Sequence, residues 1–272
     1  MILMDLTRTG GRFVLRGRSA LSLRSSSCLP SSGGHPNKDR NEARSCPLKL
    51  IADKLAVDRG GRRVFAGLGF ELEAGRALVI TGANGVGKST LLRTLAGLVP
   101  VSEGKLTLEG GEPDRSLAEH AHYFGHESAV KRALSVLENL EFWRSFMAPA
   151  RPEGFDGEVL QPLDILDRLG IGHTADLPAA YLSAGQTRRL ALARLFVTPR
   201  PIWLMDEPTS ALDKASEAQL LGFMNAHLAA GGQIITATHS ELALHPADAL
   251  HLAAPEQGDE QGDETADEGE EA

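Results

Sequence analysis

The sequence predicts an α/β fold with a buried parallel sheet, an attached antiparallel β portion and a small helical subdomain, on three observations. Short apolar runs at residues 77–80, 202–205 and 233–238 each end in a polar or glycine-rich break, the pattern of strands buried on both faces. The first leads into Gly82-Ala83-Asn84-Gly85-Val86-Gly87-Lys88-Ser89, a phosphate-binding loop of the form G-x-x-x-x-G-K-S, and then into an apolar-faced helix. The second ends on Asp206-Glu207 and the third delivers His239, so reactive side chains gather at strand ends, where open α/β sheets bind their ligands.

Each element follows in chain order. Residues 1–48 carry eight Lys/Arg against three Asp/Glu, many serines and little apolar periodicity. Three readings fit this leader: a disordered arm, a start assigned too far upstream, or a mitochondrial transit peptide. The folded domain is expected to span residues 49–250. Residues 49–111 and 117–124 hold short apolar runs split by Gly60-Gly61 and Gly110-Gly111, read as the antiparallel β portion. A helix is expected over residues 88–98. Residues 128–182 read as the helical subdomain, with a Pro/Gly-rich stretch between Pro149 and Pro162. A helix over residues 183–197 has Ser183 as a plausible N-cap. Residues 251–272 are expected to be an acidic, disordered tail: nine acids and no base lie in 256–272, and removing them takes the formal net charge from −8 to +1.

The loop's chemistry follows from its composition. Glycines let the backbone curl so that several N–H groups point at phosphate oxygens, and the following helix adds the positive end of its dipole. Lys88 is expected to reach the β- and γ-phosphates of ATP, Ser89, followed by Thr90, to hold Mg²⁺, and Asp206 to hold the same ion through water. Glu207 would position or deprotonate the attacking water. Alone, an Asp-Glu pair after four apolar residues is often a solvated strand end, and a histidine after a strand is often structural.

What distinguishes them here is Leu182-Ser183-Ala184-Gly185-Gln186, just upstream of the Asp-Glu strand. With the phosphate loop, this order resembles the nucleotide-binding subunit of an ABC transporter, over about residues 49–240. The resemblance implies a head-to-tail homodimer in which Ser183, Gly185 and Gln186 close over the ATP of a second subunit. It implies that His239 contacts the γ-phosphate, that Ser210-Ala211-Leu212-Asp213 is the family's D-loop, and that the helical subdomain faces an integral-membrane permease. Arg59 stands where the family carries an aromatic residue against adenine, and a guanidinium plane can stack there too. His126 stands where the family's glutamine loop puts its glutamine, beside Ser89 and Asp206 as a candidate metal contact. The run Tyr123-Phe124-Gly125-His126-Glu127-Ser128-Ala129-Val130-Lys131 leading to Leu137-Glu138-Asn139-Leu140, with Thr187-Arg188-Arg189 after the pentapeptide, resembles the ATP-binding subunit of the haem exporter of cytochrome c maturation. That resemblance implies haem or a haem–chaperone complex as indirect cargo. It also implies a peripheral position on the cytoplasmic face of a bacterial inner membrane, a mitochondrial location being the lesser expectation.

Composition narrows the classes further. Both cysteines, Cys28 and Cys46, lie in the leader, leaving no thiol for a core disulfide, zinc site or redox centre. No window approaches 18 consecutive apolar residues, so membrane work would need separate spanning subunits. The rivals are the ATPase of another ABC exporter with a different cargo, a soluble ABC protein acting on ribosomes or DNA, and a non-hydrolysing binding module. Only 95 positions separate Lys88 from Ser183, which leaves little room for a coiled-coil insert, and no nucleic-acid partner is expected. Glu207 and His239 together disfavour the binding module.

Overall fold

The computed structural model describes residues 47–253 apart from Ala211. The expectations on the basic leader through residue 46, on Cys28 and Cys46, and on the acidic tail from residue 254 lie outside the described residues.

The chain begins with β1 (Lys49–Arg59) and β2 (Arg62–Glu73), an antiparallel hairpin turned at Gly60 and Gly61. Both glycines sit at positive φ, 58° and 76°, which a two-residue hairpin turn requires. Next, β3 (Ala77–Thr81) runs through the phosphate loop into α1 (Lys88–Leu95), and β4 (Glu103–Glu109) returns to the free edge of β1. The remaining elements are β5 (Ala121–Phe124), α2 (Val136–Phe146), α3 (Pro162–Arg168), α4 (Ala184–Val197), β6 (Ile202–Asp206), α5 (Lys214–Ala229), β7 (Gln233–Ala237) and β8 (Ala247–His251).

Two sheets result: an antiparallel one ordered β2-β1-β4 and a wholly parallel one ordered β5-β6-β7-β3-β8. In β6 and β7 every residue is buried. Because side chains alternate across a strand, the sheet divides them between two cores. Trp203, Met205 and Ile234 pack with α4, α5 and the helical segment, whereas Ile202, Leu204, Ile235, Leu78 and Ile80 pack with α1 and the antiparallel sheet. This two-sided burial makes the strands read as continuous apolar runs.

Four expectations change. Residues 117–124 do not join the antiparallel portion: a 3-10 turn at Leu117–His120 hands the chain to β5, the edge strand of the parallel sheet, paired to β6. The apolar run marks a strand but not its partner, which tertiary contacts choose. The helix expected over 88–98 stops at Leu95, because Gly97 at φ 72° ends it, with its N–H bonded to Thr94 and the Leu98 N–H to Arg93. Leu48, grouped with the leader by composition, is buried in the core, and its carbonyl accepts from Gln233 Nε2 at 3.3 Å. At the other end β8 includes His251, and Leu252 is buried, so the folded chain extends past residue 250.

Candidate functional site

The order of the parallel sheet sets the site. β6, β7 and β3 are neighbours, so Asp206-Glu207, Thr238-His239 and the phosphate loop leave the same edge side by side. Two of the loop's glycines, Gly82 and Gly87, are forced by their surroundings. Gly82 has φ 141°, and a Cβ there would run into the carbonyl oxygen of Leu252. Gly87 has φ 111°, and a Cβ there would lie 2.6 Å from Val64 of β2. Gly87 also caps α1 with no side-chain bond, and the N–H groups of Gly85, Gly87, Lys88 and Ser89 donate to no described residue. These are the orphan donors that make a helix start an anion site.

Lys88 is buried, and its ammonium spends its three donors within the chain. Nζ donates to the carbonyl oxygens of Gly82 at 2.8 Å and Ala83 at 3.1 Å, and lies 3.1 Å from His239 Nε2. An ammonium accepts nothing, so Nε2 is the acceptor of that contact and the ring proton sits on Nδ1. The same Nε2 lies 3.6 Å from Glu207 Oε1. Lys88, His239 and Glu207 therefore cluster at the ends of three neighbouring strands, with Nε2 bonded to Lys88 and not to Glu207. The two loop carbonyls are neutral acceptors, weaker partners for an ammonium than anionic oxygens.

Asp206 is 7 % exposed, and its carboxylate makes no hydrogen bond or ion pair with a described residue; nor does Ser89 Oγ make one. A buried carboxylate and a free hydroxyl beside a phosphate site are the hard oxygen donors that Mg²⁺ takes when phosphates and water complete its shell. His126 is placed differently. It is exposed and lines a groove of about 650 Å³ with Glu127, Arg132, Gly185, Arg188 and Ser210, and neither Ser89 nor Asp206 lines that groove. Arg59 sits at the hairpin tip, exposed, a few residues beyond Val64 and Phe65, the β2 residues that flank Gly87.

Ser183 caps α4 as its residue type suggests. Its hydroxyl accepts from the Gln186 N–H at 3.2 Å, and Gln186 Oε1 accepts from the Ser183 N–H at 2.9 Å, a reciprocal capping box. Ser183, Ala184 and Gly185 are exposed. A Cβ on Gly185 would meet nothing within 4 Å, so nothing in the described chain demands a glycine there.

Sequence reasoning missed several contributors. Glu207 sits at φ 46°, a left-handed conformation that costs a non-glycine residue roughly 1–2 kcal/mol. Its N–H donates to Ala237 at 2.9 Å, and its carbonyl accepts from Arg188 Nη2 at 2.7 Å. Burial lowers the Arg188 pKa from the usual guanidinium range, opposed by the nearby Asp206 charge. Asn139 is buried and staples the segment after His126: Oδ1 accepts from the Lys131 N–H at 2.8 Å, and Nδ2 donates to Lys131 and Ser135 carbonyls at 3.0 and 2.8 Å. The Glu-Asn pair at 138–139 signals this, with Glu138 closing a second capping box on Ser135. No sequence signal links Arg188 to Glu207.

A phosphate loop at the end of β3, with acids and a histidine on the next two strands, defines a nucleoside-triphosphatase of the P-loop class. Residues 65–210 match the family described as ABC transporter. The chain belongs to the ABC transporter family of ATP-binding subunits: it binds ATP and is an ATPase. It is 52 % identical over 202 residues to the Mesorhizobium japonicum "Cytochrome c biogenesis ATP-binding export protein CcmA", covering 74 % of this chain and 96 % of the relative. It is 48 % identical over 210 residues to the protein of the same name from Chelativorans sp., covering 76 % and 99 %. Among solved structures, an ABC transporter ATP-binding protein from Pyrococcus furiosus is similar in fold, with TM-score 0.59, 22 % identity, and coverage of 75 % of this chain and 97 % of that one. A bacterial Atm1-family ABC exporter solved with ATP bound superposes with TM-score 0.62 and 25 % identity, over 77 % of this chain and 38 % of the exporter.

Proposed function

We propose that this chain is the ATP-hydrolysing motor of a membrane exporter serving cytochrome c maturation, with haem or a haem–chaperone complex as indirect cargo. The observation that carries this reading is half identity, over nearly the whole length of the relatives, to proteins named for cytochrome c biogenesis and export. Two copies of one ATPase domain, each with its helical subdomain near residues 128–182, pair head to tail and dock on an integral-membrane permease at the cytoplasmic face of a bacterial inner membrane. No helix among the described residues is long and apolar enough to cross a membrane, in keeping with a spanning partner.

In this reading the open N–H groups of residues 85–89 and the Lys88 ammonium hold the β- and γ-phosphates. Ser89 and Asp206 would hold Mg²⁺, whose charge offsets that of the phosphates. Glu207 takes the proton of the attacking water or orients it, and His239, once Lys88 turns to the phosphates, carries its proton on Nε2 and donates to the γ-phosphate. Rate comes from positioning and fixed charge. Ser183, Gly185 and Gln186 meet the nucleotide of the second subunit; the open space over Gly185 supports this, since a glycine there serves nothing in its own chain. His126 senses the site from the groove between core and helical subdomain.

The test is a gene deletion complemented by parent and variants. The deletion strain should lack mature c-type cytochromes. Glu207→Gln should bind ATP but lose about 10²–10⁴-fold in turnover and fail to complement. Normal c-type cytochromes in the deletion strain would remove the maturation role and leave the ATPase standing.

A further inference from the structure

We infer that Arg188 is a positioning residue for hydrolysis: its guanidinium fixes the peptide that aims the Glu207 carboxylate at the attacking water. The inference rests on the reading of Glu207 as the water-activating base. It starts from an oddity of that residue. Glu207 is one of the few non-glycine residues at positive φ, 46°, and it immediately follows the buried strand β6. A left-handed residue at a strand end swings its side chain away from the strand's own alternation, so its direction is set by what holds the peptide on either side.

Both sides are held. On the amino side, the Glu207 N–H donates to the Ala237 carbonyl of β7 at 2.9 Å. On the carboxyl side, the Glu207 carbonyl accepts from Arg188 Nη2 at 2.7 Å and from the Ser210 N–H at 3.2 Å. The same Nη2 reaches the Pro208 carbonyl at 3.4 Å. Arg188 is locked in turn, its guanidinium carbon 4.6 Å from the centre of the buried Phe124 ring. A planar, charged fork between an aromatic face and a carbonyl suits arginine and not lysine. One feature fits a pure packing role poorly: Nε is buried without a partner, so the guanidinium is sited for the carbonyl at the expense of its own hydrogen-bonding capacity. Because Arg188 stands on α4, it also ties the direction of Glu207 to the helix whose first turn carries Ser183 and Gly185. A rigid-body shift of α4 moves the carbonyl that aims the base.

The test uses the full chain and reads ATP affinity by titration together with kcat and KM. Arg188→Met keeps the stem and removes the donors. It should lower kcat about 10- to 100-fold, as misplaced reacting groups do, with ATP affinity and KM within about two-fold of the parent. Arg188→Lys, which can keep one bond to the carbonyl, should recover part of the loss. Placed on Glu207→Gln, Arg188→Met should cost nothing further, since residues acting as a unit are not additive. If Glu207→Gln is inactive while Arg188→Met turns over near the parent rate, or loses ATP affinity in step with kcat, the inference is overturned and the base assignment stands. If Glu207→Gln itself turns over near the parent rate, both fall. Should Arg188→Met not fold, Arg188→Lys and Arg188→Gln carry the test, and parent-like kcat in both overturns it.

Discussion

The starts of α1 and α4 resemble each other in sequence, each with glycine in or beside the first turn and a serine nearby, and they differ in space. α1 opens from a loop that abuts Leu252 at Gly82 and β2 at Gly87, has no side-chain cap, and leaves its first N–H groups without partners among the described residues, beside a buried lysine. α4 opens on the surface, and its first donors are already met by Ser183 and Gln186. The first has unspent donors and a fixed charge within one chain. The second is a stable helix end whose Ala184 and Gly185 amides alone remain open, and it acquires a ligand only if another surface brings one. A helix N-terminus is thus a site only when its donors are unspent and charge is fixed beside it.

The comparison extends to the two faces of the parallel sheet. On the α1 face the buried cation is Lys88, at the site. On the α4 and α5 face the buried ionisable groups are structural. Arg194 bonds the Tyr123 carbonyl at 2.6 Å, and burial lowers its pKa to about 10. Arg200 bonds the Ala118 and Ala121 carbonyls at 3.1 and 2.9 Å. His227 stacks on Trp203 with ring centres 3.9 Å apart, and burial pushes its pKa down to about 4. His122, fully buried, is held well below the ordinary histidine value for the same reason.

The sharpest way to break the comparison is Lys88→Ala. Losing the fixed charge should weaken ATP binding about 10- to 100-fold and reduce turnover by at least as much. Titration calorimetry with ATP checks it, and parent-like affinity would mean the loop amides suffice alone. Gly185→Glu should then separate the two helix starts. Within one chain the substitution meets nothing and places an acid at a helix start, so stability should hold or rise by up to about 1 kcal/mol. ATP affinity of the single chain should stay within two-fold while turnover falls roughly tenfold or more, if that turn closes on a second subunit's nucleotide. A melting curve, a titration and an ATPase assay on one preparation decide it; unchanged turnover removes the shared-site reading.

The acid response should come from the α4 face. His227 is neutral when folded, and an unfolded chain takes up its proton near the ordinary value of 6.5. Its contribution is therefore complete above about pH 6.5 and is lost as pH falls toward 4, reaching roughly 2 kcal/mol at pH 5, with His122 acting in the same direction. Urea midpoints at pH 7 and 5 should show the loss, and His227→Phe should reduce the slope; an unchanged slope assigns the acid sensitivity elsewhere. The smallest effect belongs to the ends. Deleting residues 1–46 or 256–272 should leave the melting temperature and ATPase rate nearly unchanged, since neither segment has the apolar content to join a core. Extending the first deletion through Leu48 should cost about 1–3 kcal/mol, because that side chain is buried.

Much of this architecture is local and therefore legible. The continuous apolar runs of β3, β6 and β7 mark strands buried on both faces, Gly82 and Gly87 of the phosphate loop mark backbone that side chains would obstruct, and Ser183 with Gln186 three residues on marks a cap. Each depends on a few consecutive residues and a rule of backbone or side-chain geometry. The sequence by itself therefore determined the parallel sheet, the placing of Lys88, Asp206, Glu207 and His239 at its strand ends, and the start of α4. What the tertiary structure decided is what depends on distant partners. It assigned β5 to the parallel sheet, drew Leu48 and Leu252 into the core, set His126 in the groove, and brought Arg188 across 19 positions to the carbonyl of Glu207. An arginine on a helix has the same local pattern whether it faces water or the turn at Glu207, and only the packing of α4 against β5 and β6 selects between them.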